Sequence, residues 1–245
     1  MEIFTLSKTM NGMINSIRNS RVAYKVQHDE LLDQKNILHH QAHHDYLTGL
    51  PNRILFNDRL EQAIKKSERR EKKMALFFID LDHFKEINDS LGHEVGDKIL
   101  KEVTKFLQEI IRKEDTLSRL GGDEFTIIVE DLEKIEDASV FAKKMLDVLT
   151  RPITIDDKQL YISSSIGISL YPNDGKTVQD LFKYADAAMY RAKYEGRNNF
   201  QYYSSEMTEA ALERVVMETN LRDALNCEEF VVYYQPQVDA PAIIQ

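Results

Sequence analysis

Apolar and polar residues are spaced along the chain in a way that predicts alternating helices and strands. Met74–Ile79 is a continuous apolar run, which is typical of a strand buried on both faces. Within Val95–Ile111, apolar residues recur every three or four positions, which is the spacing of an amphipathic helix. The same reasoning predicts three more helices and a short strand, over Ile54–Arg70, Glu136–Leu149, Val178–Tyr194 and Phe200–Tyr203.

Two hairpins complete the predicted sheet. The pair Gly121–Gly122 joins the apolar runs Thr116–Leu120 and Thr126–Val129, because glycine reaches positive φ without a steric penalty. The second hairpin is predicted to turn at Asp156–Asp157 and to continue as a strand over Leu160–Leu170. Hairpins interleaved with helices predict an α/β (α+β) fold, with a central, mostly antiparallel sheet flanked by helices.

The start of the chain predicts one long, mostly polar helix. Glu2–His44 contains no proline, and its only glycine is Gly12. Its apolar residues fall near a heptad spacing, at Met10, Met13, Ile17, Tyr24, Leu31 and Leu38. Polar residues interrupt this seam, so a coiled coil would be weak in isolation. We favour a dimerising signalling helix over two alternatives, a packing helix and a lone solvated helix.

Length and composition restrict the function classes. The 245 residues suit one or two domains, and a formal net charge of −9 argues against sequence-independent binding to a nucleic acid backbone. Acidity does not exclude a nucleotide substrate, since Mg²⁺ and a few local cations can neutralise a triphosphate. Cys227 is the only cysteine, so no intrachain disulfide can form. No segment approaches the roughly 18 to 20 apolar residues that cross a bilayer, and no secretory signal is visible, so we expect a cytoplasmic chain.

Two clusters of carboxylates give the first indication of chemistry. The buried strand that begins at Met74 runs directly into Asp80–Asp82, and the glycine hairpin carries Asp123 and Glu124 at its tip. A carboxylate at the end of a buried strand is costly unless it is paired or bound to metal. An ordinary solvated turn is the alternative for the hairpin acids alone. Two clusters that meet in space would instead form a shared Mg²⁺ (or Mn²⁺) site for phosphoryl or nucleotidyl transfer.

Five sequence blocks, in order and at suitable separations, carry a resemblance to a known family. They are Asp45–Arg53, Asp80–Leu100, Arg119–Phe125, Ser164–Ser169 and Ala185–Phe200. With these blocks the chain resembles the GGDEF domain of the diguanylate cyclase family over about residues 45–203. The resemblance implies a nucleotidyl-cyclase-like, ferredoxin-related fold. It also implies condensation of two GTP into cyclic di-GMP and two pyrophosphates, by two domains that face each other in a homodimer.

The resemblance places the catalytic and metal-binding residues in the two acidic clusters. Asp80, the backbone carbonyl of Leu81, and Asp123 would bind Mg²⁺, which takes few protein ligands and completes its shell from phosphates and water. Glu124 would complete the site, either through a second metal ion or by helping to deprotonate the attacking hydroxyl. For Asp80 the alternative is a helix N-cap, because a helix can begin near His83.

The resemblance also implies contacts to the phosphates of GTP. The bare tip at Gly121–Gly122 would let the substrate lie against the backbone. The implied phosphate contacts are the backbone N–H groups of His83 and Phe84 and the side chains of Lys85, Lys193 and Arg197. Without the resemblance, the last two would be cations that offset the dipole at a helix C-terminus.

Asn88 and Asp97 match the family's guanine-reading pair. Guanine offers acceptors that suit an amide and donors that suit a carboxylate. Outside the resemblance, Asn88 would be interpreted as a turn residue and Asp97 as an acid at the start of a helix.

Arg112 and Asp115 match the family's R-x-x-D product-inhibition site, which binds cyclic di-GMP. Arginine offers a fork for phosphates and a plane that stacks on guanine. The strand Thr116–Leu120 would separate this site from Gly121 by about 15 to 20 Å, at about 3.3 Å per residue. By spacing alone the pair is an ordinary surface ion pair.

Histidines cluster where the predicted N-terminal helix ends, at His39, His40, His43 and His44. His40 and His44 have a spacing that is compatible with metal binding. No carboxylate pattern supports a zinc site, so we expect exposed helix-end residues.

The remaining segments resemble parts of two other modules. Glu2–Met13 resembles the end of a HAMP domain, which would place any inner-membrane anchor upstream of residue 1. Glu206–Asn226 predicts a helix, and Glu229–Asp239 resembles the first strand of an EAL phosphodiesterase domain, without that family's motif or metal ligands. We therefore expect a signalling helix at 1–44, a GGDEF domain at 45–204, and a linker with a truncated EAL start at 205–245.

Two other function classes compete with the cyclase. One is a non-catalytic receptor for GTP or cyclic di-GMP, and the other is a purely structural dimerisation module. The complete motif residues Asp80, Asn88, Asp97 and Gly121–Phe125 favour the enzyme.

Overall fold

The computed structural model describes residues 38–156 and 158–205, with isolated positions before and after them. The chain separates into two compact units, Met1–Tyr203 and Ser204–Gln245. Every described position between 21 and 43 is helical, and those up to 42 are exposed. Residues 1–20, which include the HAMP-like segment, and nearly all of the predicted helix and strand after residue 205 lie outside the described residues. None of the described helices combines the length and apolar character needed to cross a bilayer.

Between residues 53 and 202 the first unit has five helices and seven strands. The helices are α1 (Arg53–Arg70), α2 (Phe84–Leu91), α3 (His93–Gln108), α4 (Glu136–Leu149) and α5 (Val178–Tyr194). The strands are β1 (Lys73–Leu81), β2 (Thr116–Gly121), β3 (Glu124–Leu132), β4 (Ile153–Ile155), β5 (Lys158–Leu160), β6 (Ser164–Tyr171) and β7 (Phe200–Tyr202).

Five strands form the central sheet in the order β2-β3-β1-β6-β7. All neighbours are antiparallel except β6 and β7, which are parallel. The predicted α/β fold with a mostly antiparallel, helix-flanked sheet is therefore confirmed. β4 and β5 form a separate two-stranded hairpin.

Two segments differ from the predicted pattern. The single strand predicted over Leu160–Leu170 is wrong, because β5 pairs with β4 and β6 pairs with β1, with a break at residues 161–163. Ser163 lies in that break, where its carbonyl accepts a hydrogen bond from the backbone N–H of Asp82. The helix predicted over Val95–Ile111 begins earlier and ends at Gln108, and Gly92, with φ 87°, separates it from the short α2.

The strand β1 lies at the centre of the core and is buried on both faces, as its apolar run predicts. Ala75, Phe77 and Ile79 belong to a cluster that includes residues of α3 and α4. Alternate β1 residues, such as Leu76 and Phe78, pack in a second cluster with α1 and α5. Each fully buried side chain of this size stabilises the fold by about 1.5 to 3 kcal/mol. The end of β1 is therefore a rigid position for functional groups.

Helix α5 is held against the sheet by direct backbone contact. A Cβ at Gly167 on β6 would come within 2.8 Å of Met189 Cα, and still closer to the carbonyl oxygen of Ala185. Thr177 caps the start of α5 by accepting a hydrogen bond from the Asp180 N–H. Close packing therefore fixes the path of α5, which carries Lys193 in its last turn.

Candidate active site

The structure brings the two acidic clusters together at one edge of the sheet. Asp80 on β1 lies directly opposite Glu124 on β3 in the strand register. The Leu81 N–H donates to the carbonyl oxygen of Asp123 over 3.4 Å. Asp80 is part of β1 and does not cap a helix, since α2 begins at Phe84 without a side-chain cap.

Two cations stand beside these carboxylates. The Lys193 ammonium lies 2.7 Å from Asp80 Oδ2, and an Arg53 guanidinium nitrogen lies 3.5 Å from Glu124 Oε2. Burial raises the pKa of Asp80 to about 6; the Lys193 hydrogen bond opposes this rise, and the charge of Asp123 adds to it. Burial also raises the pKa of Glu124, against the nearby charge of Arg53. The cations thus partly offset a concentration of negative charge.

The donors at this edge are of the kind that Mg²⁺ binds. In the part of the chain that the structure describes, no three His, Cys, Asp or Glu side chains converge into a ready metal cage. Mg²⁺ rarely needs one, because it is usually bound by one or two carboxylates together with substrate phosphates and water. Asp80, Asp123 and the carbonyl of Leu81 therefore fit this ion, and the buried Asp80 is paired with a cation already.

The hairpin tip is open on its outer side and braced from within. Gly121 and Gly122 have φ of 145° and 52°, and a Cβ on either would meet nothing within 4 Å. The guanidinium of Arg119 donates to the Gly122 carbonyl from Nε (3.1 Å) and Nη2 (2.7 Å). Its Nη1 donates to Asp45 over 2.8 Å, and both side chains of this ion pair are mostly buried. The tip is therefore held in a fixed position with open space in front of it.

Asp45 is in turn fixed by its own loop. Its carboxylate accepts hydrogen bonds from the backbone N–H and the hydroxyl of Thr48, at 2.9 and 2.6 Å. Burial alone would raise the pKa of Asp45, but the hydrogen bonds from Thr48 and Arg119 hold it below its ordinary value. The loop that leads into α1 is therefore tied to the hairpin tip through one buried ion pair.

Asp82, the other acid of the first cluster, is occupied by hydrogen bonds. Ser165 donates to Oδ1 over 2.7 Å, and Oδ2 accepts from Ser163 (2.6 Å) and from the Asn198 backbone N–H (3.1 Å). Both oxygens are used and the residue is buried. Asp82 therefore joins the end of β1 to the loop that carries Arg197.

The residues predicted to bind substrate surround the same edge. His83 immediately precedes α2, whose first two residues are Phe84 and Lys85. His83 Nδ1 lies within hydrogen-bond distance of Glu86 Oε1, at 2.9 Å, and Lys85 is exposed. Arg197 follows α5, and its N–H donates to the Ala192 carbonyl over 3.1 Å.

Asn88 and Asp97 lie on two helices that pack against each other. The Asn88 side chain contacts Gly96 on α3, and Asp97 is the next residue of that helix. Both side chains are partly exposed. The arrangement leaves the amide and the carboxylate accessible to a ligand.

Arg112 and Asp115 lie at the opposite end of β2 from the glycine tip. Asp115 Oδ2 accepts a hydrogen bond from the backbone N–H of Arg112 over 2.9 Å, and burial raises the pKa of Asp115. The two residues line a groove of about 520 Å³ together with Phe141 and Lys144. The Asp115 carboxylate therefore holds the backbone of this turn by a hydrogen bond. Spacing alone predicted an ion pair with the Arg112 side chain instead.

The four histidines near residue 40 pair with each other. His43 Nδ1 lies 2.8 Å from the His39 carbonyl oxygen and His44 Nδ1 lies 3.1 Å from that of His40. The rings stack in the same two pairs, with centroids 4.2 and 3.9 Å apart. Stacking at the end of a helix accounts for their spacing.

Sequence reasoning missed four residues that shape the site: Asp45, Arg53, Asp82 and Arg119. All four lie within the motif blocks, so their positions were visible. Their roles were not, because each acts on a residue far away in the chain, as Asp82 does on Asn198 across 116 positions.

Comparison with known proteins identifies the family of the chain. The family model for "Diguanylate cyclase, GGDEF domain" matches residues 42–199. MucR of Pseudomonas aeruginosa, named a bifunctional diguanylate cyclase/cyclic di-GMP phosphodiesterase, is 42% identical over 241 residues, which cover 98% of this chain and 35% of MucR. This chain therefore spans about a third of the length of that relative.

Two solved structures share the fold. The GGDEF domain of TpbB (YfiN) from Pseudomonas aeruginosa has a TM-score of 0.68 at 37% identity, covering 69% of this chain and 99% of that one. The coiled coil and GGDEF domain of DgcB from Caulobacter crescentus, solved in complex with c-di-GMP, has a TM-score of 0.68 at 26% identity, covering 76% of this chain and 99% of that one. By the family match and these likenesses, the chain belongs to the GGDEF domain family of diguanylate cyclases.

Proposed function

We propose that this chain is a diguanylate cyclase that condenses two GTP into cyclic di-GMP and releases two pyrophosphates. The observation that carries the proposal is that Asp80 and Glu124 lie opposite each other on neighbouring strands. The backbone of Asp123 is hydrogen-bonded to the backbone of Leu81, next to the open glycine tip. This pairing gathers carboxylates from two strands at the end of a rigid core. The chain covers about a third of MucR, so the proposal concerns the reaction of this chain and not the activity of a protein as long as MucR.

Asp80, Asp123 and the carbonyl of Leu81 would hold Mg²⁺ or Mn²⁺, with Glu124 at its side. When bound, such an ion neutralises phosphate charge and orients the triphosphate for in-line attack. The chain's own groups do the rest of the positioning. Lys193 lies 2.7 Å from Asp80, so it would be placed to exchange that carboxylate for a phosphate oxygen.

The remaining substrate contacts would divide between phosphates and base. Lys85, Arg197 and the backbone N–H groups of His83 and Phe84 would bind phosphates, while Asn88 and Asp97 would read guanine. Glu124 is suited to one of two tasks, which are binding a second metal ion and accepting the proton of the attacking hydroxyl.

One domain offers one half of the reaction. The 3′-hydroxyl of each GTP would attack the α-phosphorus of the other, forming a phosphodiester bond while the bond to the β-phosphate breaks and pyrophosphate leaves. Two chains must therefore face each other antiparallel, and catalysis is mainly positioning and charge stabilisation. The helix at 1–44 would assist dimerisation, and its described apolar positions Tyr24, Leu31 and Leu38 are exposed in the single chain. Such a chain would work where GTP is available, in the cytoplasm.

Arg112 and Asp115 would bind the product and restrain the enzyme. The groove that they line is open, and it lies at the other end of β2 from the catalytic edge. Product bound there could hold two domains in an unproductive orientation, so inhibition would be non-competitive with GTP.

The test is incubation of the purified chain with GTP and Mg²⁺, followed by chromatography of the nucleotides. Cyclic di-GMP and pyrophosphate are expected, with ATP giving no corresponding product. Asp123→Ala should abolish turnover, because a metal ligand is lost from an exposed tip without a defect in the core. Asp147→Ala, which removes an exposed carboxylate on α4, is the matched control. GTP or cyclic di-GMP binding without turnover would favour the receptor, and absence of both would favour a structural module.

A further inference from the structure

Helices α2 and α3 contact each other at a glycine. Gly96 lies in the first turn of α3 and is buried, while Asn88 lies near the end of α2. A Cβ built on Gly96 would come within 3.0 Å of Asn88 Cγ and still closer to Asn88 Oδ1. The carboxamide of Asn88 therefore occupies the space that any side chain at position 96 would need.

We propose that Gly96 is a specificity-determining residue that selects guanine by leaving room for the Asn88 amide. The inference rests on the proposed function, in which Asn88 and Asp97 read the base. Gly96 itself touches no base in this arrangement and acts only by setting where the amide lies. Since Asp97 directly follows Gly96, one turn of α3 both supports the amide and supplies the carboxylate.

The chemistry of the two purines makes the position of the amide decisive. Guanine presents acceptors at O6 and N7 and donors at N1 and N2, whereas adenine carries an amino group in place of O6 and has no proton on N1. With its NH2 group toward O6, the Asn88 amide would donate to guanine while the Asp97 carboxylate accepts from N1 and N2. Adenine would place its own amino donor against that NH2 group and would offer the carboxylate no N1 proton. An amide displaced by a methyl group would lose its guanine contact, because hydrogen bonds weaken steeply with misplacement.

The atoms that an alanine would meet suggest a small cost in stability. Its nearest neighbours are the end of the Asn88 side chain, which can rotate, and the Phe84 ring at 3.2 Å. Alanine is also a better helix former than glycine. Gly167 is the contrasting case, because a Cβ there would meet the backbone of α5, which cannot move aside.

The experiment measures binding of 3′-deoxy-GTP and 3′-deoxy-ATP by calorimetry in the presence of Mg²⁺. These probes lack the attacking hydroxyl, so binding is separated from turnover. The proteins are the full chain and its variants Gly96→Ala, Asn88→Ala and the double variant, with Gly167→Ala as the backbone-clash control. Thermal unfolding is recorded for each protein.

Gly96→Ala is expected to weaken 3′-deoxy-GTP binding by roughly 10- to 100-fold, the range for loss of one good base contact, while binding of 3′-deoxy-ATP stays within about 2-fold. Its melting temperature should stay unchanged or rise, whereas that of Gly167→Ala should fall. In the Asn88→Ala background the Gly96→Ala change should have no further effect on the guanine probe, because the amide through which it acts is absent.

Three outcomes would overturn the inference. A Gly96→Ala protein that keeps its guanine preference would show that the amide does not depend on the glycine, and the cyclase proposal would stand. Equal loss for both probes, or an undiminished loss in the Asn88→Ala background, would show that Gly96 serves only helix packing. An unmodified chain with no preference for guanine would remove the guanine site itself, and with it this part of the proposed function.

Discussion

Replacement of Asp80 by asparagine should stabilise the metal-free protein at neutral pH. Burial raises the pKa of Asp80 from 3.8 to about 6, even though Lys193 lies 2.7 Å away and opposes that rise. The difference of about 2 pKa units corresponds to about 3 kcal/mol, at about 1.36 kcal/mol for each unit. The ionised carboxylate therefore costs the folded state about that much, and the neutral amide in the Asp80→Asn variant avoids the cost.

The pH dependence follows from which state holds the proton more tightly. The folded protein binds a proton at Asp80 more tightly than the unfolded chain, so its contribution to stability is fully present below about pH 3.8. That contribution is lost as the pH rises through about 6. Asp80→Asn removes this loss, so the stability difference between variant and parent should be small near pH 4 and approach about 3 kcal/mol at pH 8.

The assay is urea unfolding followed by circular dichroism, from pH 4 to 8, with EDTA present to remove metal. The same variant should lose turnover when Mg²⁺ and GTP are supplied, because a metal ligand is gone. Asp147→Asn, on an exposed face of α4, controls for the loss of one negative charge. A stability difference that does not change with pH, or an Asp80→Asn protein that is less stable at pH 8, would refute the reasoning.

Three further outcomes are expected. Specific activity should fall on dilution, because two half-sites must meet and the −9 charge on each chain opposes a bare encounter; activity that stays flat with or without residues 1–44 would contradict this. Arg112→Ala should raise the cyclic di-GMP concentration for half-inhibition by roughly 10- to 100-fold, measured relative to the variant's own uninhibited rate. An unchanged affinity for cyclic di-GMP in calorimetry would show that Arg112 and Asp115 do not bind the product. Asp82→Asn should raise KM for GTP about 10-fold or more, because its amide NH2 would face the hydrogen-bond donors on Ser163, Ser165 or Asn198. Ser165→Ala should raise KM by less. An unaltered KM in both variants would show that Asp82 does not position the loop that carries Arg197.

Segments with strong local patterns could be predicted from the sequence. Helices α4 and α5 have the predicted bounds, because their apolar residues are regularly spaced and local residues set one end of each. Pro152 follows the end of α4, and Thr177 caps the start of α5. The acidic edge was predictable for a different reason. A carboxylate such as Asp80 is anomalous at the end of a fully apolar strand, and an anomaly of that kind is visible without a structure.

Features set by distant residues could not be predicted. At the break between β5 and β6, the hydroxyl and the carbonyl of Ser163 are hydrogen-bonded to Asp82, 81 residues away, and no local pattern marks this contact. The placement of Arg53 beside Glu124 has the same origin, since α1 and β3 meet only in the folded chain. Asp115 illustrates a third case. Its spacing from Arg112 indicated an ion pair, but its carboxylate instead accepts a hydrogen bond from the backbone N–H of Arg112.

The charges at this end of β1 are the physical reason that the proposed function needs both a divalent ion and nearby cations. Asp80, Asp123 and Glu124 alone would repel a triphosphate, and burial raises the pKa of both Asp80 and Glu124, which makes each ionised carboxylate costly. Lys193 pairs with Asp80, and Arg53 pairs with Glu124. In the proposed function Asp80, Asp123 and the Leu81 carbonyl would hold the divalent ion, whose charge would neutralise phosphate, and Lys193 would pair with a phosphate oxygen. Under the proposed function Lys193, which pairs with Asp80 in this structure, is therefore the same cation that would pair with phosphate, so both the buried carboxylate and the bound phosphate would have a partner.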